Sequence, residues 1–480
     1  MNTIWNDNLE NKNINKLDKD INVDVLIIGG GITGMSIAYH LINSKRRVCV
    51  VERREVGGGI TGRTTGKLSY LQGLIYQKIS LYNDKDSAIN YLKSQKDAID
   101  IVSRIVKDNK IECDLTKVSS YTYTKERKNI NKIKKEYKFL SHENIDVFIG
   151  DKLDLDVDSV KYISVFDTYV FHPLKYLYGI KDICLKNGID IYENTKIIKV
   201  SRNGSGYKCL TDNNVILARD VVFACHYPYF TIPFLMPLKG YLEKSYIMVT
   251  KMKDNLKISG ITDDEDNFSF RSHSDSNNNY LICLGKSHNL CNLNCVSSKF
   301  KELETSSLLN DIKYAWTNHD IITSDYLPFI GILNKHKHLY IATGYNKWGM
   351  TNGSIAGKVI SDLILGKDNE YVELFNPNRD INLGKLINTP KNIYSSIKGI
   401  IKTKLKSSCG NTIYKRENGE KIAIYNEYKI KNRCPHLGCG LIFNDKEKTW
   451  DCPCHGSRFE IGGRCINGPS NDDIKNNNCK

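Results

Sequence analysis

Apolar residues along the first half of the chain alternate between two periods. Residues 23–28 (VDVLII) form an apolar run that ends in glycines. Met35, Ile37, Ala38, Leu41 and Ile42 then recur at helical spacing, and residues 47–51 return to a short apolar run. Strand, helix and strand in that order predict a βαβ opening. Residues 86–109 carry an amphipathic helical period, and residues 173–187 a second one, entered at Pro173 and stopped by Gly188. Short strands are predicted at 195–201, 207–210 and 220–224. From about 367 to 408 the chain is polar with scattered turn residues and reads as a linker. Beyond it come short strand patterns, turns and cysteine-rich loops, which mark a separate small domain.

Composition changes this picture little. A chain of 480 residues holds two or three domains, and 40% hydrophobic with 10% aromatic residues marks it as globular. The net charge is +15, but the lysines are spread along the chain rather than gathered on one stripe, which argues against a nucleic-acid partner. The densest basic run, 125–138, carries Ile130, Ile133, Tyr137 and Leu140 at or near helical spacing and reads as a solvated helix face. The Asn-rich arm at 1–20 lacks the basic-then-apolar order of a signal peptide. Gly29, Gly30, Gly31 and Gly34 interrupt the apolar stretch 23–42, so it fits a buried strand and helix better than a transmembrane segment. The expected setting is cytoplasmic, with most of the fifteen cysteines as free buried thiols.

Near the C-terminus four cysteines and two histidines cluster too tightly for that reading. Cys434-Pro435-His436 is followed, after fifteen residues, by Cys452-Pro453-Cys454-His455. The pairs C-x-H and C-x-x-H supply the donors of a Rieske-type 2Fe–2S cluster. Cys434 and Cys452 would hold one iron, His436 and His455 the other. Neutral imidazoles remove negative charge, so such a cluster is reduced more easily than an all-cysteine one. A structural zinc site is the competing reading, for which C-x-H is an unusual half-site.

The flanking Leu437-Gly438-Cys439 and Gly456-Ser457 resemble the boxes of the cytochrome bc-type Rieske proteins. That resemblance implies a Cys439–Cys454 disulfide between the cluster loops, a Ser457 hydrogen bond to cluster sulfur, and a covering loop at Gly468-Pro469. Pro435 stands where that family usually has Thr, and Phe459 where its high-potential members have Tyr. The missing O–H donor implies a lower potential. His436 and His455 are both expected at the surface, as the exit for electrons.

Gly29, Gly31 and Gly34 form G-x-G-x-x-G between the first strand and helix, and Glu52 closes the second strand eighteen positions after Gly34. Such glycines let the backbone approach a pyrophosphate at a helix N-terminus, and the carboxylate accepts from ribose hydroxyls. This pattern points to a dinucleotide without separating NAD from FAD. Residues 61–66, with Arg63, Thr64 and Thr65, resemble the phosphate loop of the D-amino-acid oxidase and glycine oxidase superfamily of flavoproteins. Residues 220–225, with Ala224, look like its second strand under the cofactor. Residues 341–344 followed by 348–351, with Gly344, Gly349, Met350 and Thr351, resemble its C-terminal flavin motif. His172-Pro173 and Asn194-Thr195 fit as well, the latter placing the backbone near Ile197 against adenine. The cofactor implied is FAD.

Taken over residues 23–470, the chain resembles bacterial FAD-dependent oxidoreductases with a fused C-terminal Rieske domain. The fold implied is α/β: a Rossmann-like FAD-binding domain with a mixed-sheet substrate domain, plus a C-terminal all-β Rieske domain. The expected divisions are a polar arm at 1–20, an oxidoreductase at 21–366, a linker at 367–408 and the Rieske domain at 409–480. The substrate domain would draw on 77–171 and 229–319. Amino-acid oxidases of the superfamily clamp a carboxylate with an arginine shortly before an aspartate-leucine-proline turn. Here that turn is Asp325-Tyr326-Leu327-Pro328, and residues 316–324 contain no arginine. Arg271 is a candidate substitute; Lys67, Tyr70, Tyr241 and His288 are further cleft candidates, and no catalytic residue is assigned. The implied activity is dehydrogenation of a small amine, amino acid or related electron donor. Electrons would pass from FAD to the 2Fe–2S cluster and on to a one-electron acceptor protein or quinone. The alternative is a non-enzymatic relay between redox partners.

Overall fold

The computed structural model describes residues 3–7, 9, 14–155, 157–228, 239–275, 277–292, 296–333, 337–380 and 412–474. Most of the expected linker therefore lies outside the described residues. Five parallel strands form the first sheet's core, in the order Leu339–Thr343, Val215–Phe223, Ile21–Ile28, Val48–Val51 and Asp190–Tyr192. Strand Phe329–Ile332 closes one edge antiparallel, and the hairpin Lys199–Asn203/Gly206–Leu210 pairs onto Val215–Phe223. The predicted strand at 195–201 is displaced. Asn194 turns the chain at φ 50°, and the Thr195 hydroxyl accepts from Leu17 N at 3.1 Å, so pairing happens before and after this point.

Helix Ile32–His40 follows the first strand and is crossed closely by helix Gly349–Leu365. A Cβ at Gly357 would lie 2.5 Å from Ser36 Cβ, and one at Gly353 2.8 Å from Ile32 Cγ2, so both glycines are what allows the approach. The two predicted amphipathic helices appear at Lys85–Asn109 and Pro173–Lys186. Asp84 caps the first by accepting from Ser87 N at 2.7 Å; His172 Nδ1 caps the second. The basic run lies largely on helix Ile130–His142, which buries Ile133 and Leu140 and also the carboxylate of Glu136.

A second, mixed sheet takes its strands from residues 67–170 and 240–323. Its strands Gly240–Met252 and Ile312–Thr323 lie antiparallel along one edge and border the site. The C-terminal region is all β: a three-stranded sheet spanning 413–431 and a four-stranded one spanning 442–467. The first opens with an Asn418-Gly419 turn in which both residues have positive φ, the geometry a tight hairpin favours. Trp450, Phe443 and Phe459 fill the core of this region. Among the described residues no helix is long and apolar enough to cross a membrane.

Candidate redox centres

The parallel strands of the first sheet end at one edge, over a long cavity lined by Gly29, Glu52, Ala224 and Gly344. Ligands bind there in open α/β sheets because loops diverge beyond the strand ends. Gly29 sits at φ +118°, and a Cβ on it would meet Ala224 O at 2.7 Å. Gly34 lies beneath the cavity; its Cβ would fall 1.9 Å from Gly29 O, so it sets the contact between turn and helix. A Cβ on Gly31 would meet only Thr61 Oγ1, at 3.1 Å, and this position otherwise opens on the cavity. Glu52 accepts from Gly30 N at 2.8 Å and from Arg54 N at 3.0 Å, which holds its carboxylate at the cavity wall.

Of the residues expected at the flavin, Gly29, Gly31, Glu52, Thr64, Ile197, Ala224, Gly344, Gly349 and Met350 line this cavity. Thr65 and Thr351 do not; Thr351 is buried and receives a hydrogen bond from Gln72 at 3.3 Å. Arg63 does not line it either. Its guanidinium pairs with Glu447 of the C-terminal domain and donates to Thr317 O at 3.2 Å, so its charge is directed to a protein carboxylate. Two polar atoms on the cavity wall toward the glycine turn and the Gly344 loop lack partners among the described residues: Asn346 Nδ2 and His226 Nε2. A ligand with both donors and acceptors along its length answers that pattern, and FAD fits it.

The remaining cleft candidates are placed elsewhere. Arg271 is fully buried over the Trp5 ring, 4.9 Å from its centroid, and donates to Phe171 O. Lys67 donates to Gly260 O and Ser269 Oγ; burial lowers its amine to about 7. Tyr70 bonds Asp167, and His288 bonds the Tyr246 hydroxyl at 3.0 Å. Tyr241 does not line the cavity either.

The four cluster candidates converge in the all-β region. Cys434 and Cys452 are buried with their thiols in mutual hydrogen-bond contact, and the His436 and His455 rings lie 5.1 Å apart at 90°. Both histidines leave Nδ1 buried and without a partner among the described residues. Burial lowers both imidazoles, His455 to about 4, which keeps them in the neutral form that a metal ligand requires. This donor set fits a Rieske cluster.

Cys439 and Cys454 are joined in a disulfide. Their sulfurs lie within 4.8 Å of Cys452 Sγ, but the bridge removes both from any three-cysteine metal site. Ser457 contacts the Cys434 thiol and accepts from Ser470 N at 2.9 Å. The two histidines differ in setting. His436 is half-buried, beside the 63% exposed Leu437. His455 is 8% exposed and faces Tyr227, ring centroids 6.0 Å apart. The expectation that both reach the surface is therefore corrected for His455, which the oxidoreductase domain covers.

That contact belongs to a broad interface. Ile466, Asn467, Gly468 and Pro469 line the same cavity as the glycine turn, and so does Tyr227. Arg53 donates to Ser470 O at 2.8 Å and to Asn471 Oδ1 at 2.7 Å. Deeper in, Lys244 pairs with Asp451 at 2.8 Å, while Arg458 holds Glu447 at 2.7 Å and Asp451 at 3.0 Å. No motif marks Tyr227, Arg53 or Glu447 in the sequence; only the fold brings them to the site.

Comparison with known proteins agrees with this architecture. A profile described as FAD dependent oxidoreductase matches residues 24–363, and one described as Rieske [2Fe-2S] domain matches 406–478. The chain is 28% identical over 495 aligned positions to the Putative Rieske 2Fe-2S iron-sulfur protein YhfW of Bacillus subtilis, covering 98% of this chain and 97% of that one. It is 23% identical to the Gamma-glutamylputrescine oxidoreductase of Escherichia coli, over 75% of this chain and 87% of that protein. Glycine oxidase from Geobacillus kaustophilus shares the fold at TM-score 0.61 and 16% identity, over 75% of this chain and all (100%) of that one.

Proposed function

The chain belongs to the FAD dependent oxidoreductase family and carries a C-terminal Rieske [2Fe-2S] domain, and from that premise we propose that it oxidises a small amine, amino acid or related molecule and delivers the electrons through the Rieske domain to a one-electron acceptor. When bound, FAD takes an electron pair from the substrate and the 2Fe–2S cluster carries electrons one at a time. Gly29, Gly31 and Glu52 would hold the adenosine and pyrophosphate end, and Gly344, Gly349 and Met350 the flavin end. Cys434, Cys452, His436 and His455 would hold the cluster.

The observation that carries this reading is Tyr227, which lines the flavin cavity and packs its ring against His455. On this reading one side chain would separate the two cofactor sites. The fused arrangement replaces a bimolecular encounter, and burial of His455 excludes water from the contact. His455 would then hold the cluster on the side that faces the oxidoreductase domain, and the half-buried His436 would hold it on the side open to an acceptor. The cytoplasm remains the setting of this reading, with the Cys439–Cys454 bridge buried from thiol reductants.

Anaerobic stopped-flow mixing with amines and amino acids tests it. Flavin bleaching by a small molecule alone, followed by appearance of the reduced-cluster EPR signal, is the expected order. A flavin that bleaches and turns over with its acceptor while the cluster stays oxidised refutes the electron route. A flavin reduced only by other redox proteins leaves the relay alternative.

A further inference from the structure

The wall of the cavity formed by the second sheet carries more negative charge than the fold neutralises. The register of strands Gly240–Met252 and Ile312–Thr323 sets Glu243 directly opposite Asp320. Carboxylates in that relation repel one another. One cation attends them: Lys347, on the loop between Gly344 and Gly349, pairs with Glu243 and donates to Ser287 Oγ at 3.2 Å. Among the described residues Asp320 has no ion-pair partner, and its nearest donor is Asn318 Nδ2 at a marginal 3.5 Å. Asp320, Asn318 and Lys347 all line the cavity.

A second observation points to a ligand. Asn318 is 5% exposed, lies on the cavity wall, and leaves Oδ1 without any hydrogen-bond donor among the described residues. A buried acceptor left without a donor is costly, so such an atom calls for a donor from the cavity. The Asp320 carboxylate and Asn318 Oδ1 therefore present acceptors, with net negative charge, to one region of the site. Their complement is a group that is positive and rich in N–H donors.

A substrate carboxylate beside Asp320 would meet the opposite, because the other cations on the cavity wall are engaged elsewhere: Arg53 with Ser470 O and Asn471, Arg54 with Gly58 O, and Lys196 with Asn471 O. Residues 316–324 supply no arginine, and Arg271 is buried over Trp5, away from the cavity. We propose that Asp320, with Asn318, anchors the protonated amino group of a cationic amine substrate that has no carboxylate beside that group. This rests on the dehydrogenase reading above and names its substrate class. The electrostatics agree: burial raises the Asp320 carboxyl to about 7, Lys347 opposes that and Glu243 adds to it. A bound ammonium supplies the second cation that would favour ionised Asp320.

The holoprotein, with FAD and cluster, is titrated anaerobically with four matched probes: n-butylamine, 1,4-diaminobutane, 2-aminobutyrate and butyrate. Perturbation of the flavin absorption reads binding, and bleaching reads oxidation. At least one of the two cations is expected to bind about tenfold or more tightly than 2-aminobutyrate or butyrate, a difference of about 1.4 kcal/mol. Asp320→Asn should remove that preference while Asp320→Glu retains it, FAD content and cluster EPR being the check that each variant is intact. If Asp320→Asn fails to hold FAD, the wild-type ranking and Asp320→Glu still decide. The proposal is overturned if neither cation outranks the carboxylates, or if Asp320→Asn binds the cation as tightly as wild type. A cation that binds with the expected preference but never bleaches the flavin leaves the anchor standing and refutes the dehydrogenase reading. Bleaching by 2-aminobutyrate without any preference for cations does the reverse.

Discussion

Replacing Glu447 by Gln should loosen the Rieske domain from the oxidoreductase domain. Glu447 is buried, with its carboxylate between Arg63 of one domain and Arg458 of its own, and it also accepts from Thr317 N at 3.2 Å. Burial alone would raise its carboxyl, but the two guanidinia reverse that and hold it at about 2, against 4.5 for a free glutamate. A depression of that size corresponds to about 3 kcal/mol of stability at neutral pH. Because the folded-state value is the lower one, this contribution is complete above about pH 4.5 and is lost as the pH falls toward 2.

Arg63 disagrees in sign: burial pulls its guanidinium down to about 10 despite Glu447, with Arg458 adding repulsion, so on the arginine side the ion pair does not offset the cost of burying the charge. The carboxylate has two cations and Arg63 only one anion, so the depression on Glu447 reports both arginines and overstates what Arg63 alone supplies. We therefore expect Glu447→Gln to cost about 3 kcal/mol, Arg63→Met about 1–2 kcal/mol, and the pair to couple by about 1–2 kcal/mol in a double-mutant cycle. Guanidinium unfolding at pH 7 measures this, with flavin and cluster signals followed separately because the domains need not unfold together. A Glu447→Gln protein with wild-type midpoints in both signals, or a cycle with zero coupling, would refute the assignment of this charge cluster as the domain lock.

Further outcomes follow from the same geometry. Cys434→Ser or His455→Ala should abolish the Rieske EPR signal while leaving FAD bound; a normal spectrum in either variant sinks the ligand set. Gly31→Val should purify without the yellow flavin spectrum, because the new side chain enters the cavity beside Thr61, and normal FAD content would move the phosphate site elsewhere. Tyr227→Leu should slow cluster reduction without slowing flavin bleaching by substrate; equal rates in wild type and variant would remove Tyr227 from the route. Cys439 and Cys454 should resist alkylation until the protein is reduced, and uptake of reagent by both in the unreduced protein would contradict the bridge.

Short-range chemistry was legible in the chain. The glycine turn requires Gly29 at positive φ and Gly34 under its carbonyl, contacts made within six residues. The same holds for the long amphipathic helix, expected at 86–109 and found at Lys85–Asn109, because its period and its Asp84 cap are local. The second sheet was less legible, since its pairings join distant segments. Strand Ile258–Thr262 lies parallel to Thr116–Thr124, and Lys67–Leu68 pairs with Lys161–Val170. No period in either partner specifies such a choice. Arg271 misled for a related reason: an arginine in a polar stretch reads as exposed or as a ligand clamp, whereas the fold encloses it against Trp5 from the far N-terminus.

The same difficulty explains Arg63 and has a structural consequence. Its position next to Thr64 in a phosphate-like loop suggested a phosphate ligand, but its partner Glu447 lies 384 residues further on. Thr61, two residues earlier in the same short turn, lines the FAD cavity, and its hydroxyl accepts from Ile32 N at 3.0 Å at the start of the first helix. One turn therefore touches the cofactor site with Thr61 and the Rieske domain with Arg63. The Rieske domain returns the contact, since Gly468 and Pro469 line that cavity. The cavity wall and the domain contact thus share one short segment, Ile60–Arg63, with Ile60 and Thr61 facing the cavity and Arg63 facing Glu447.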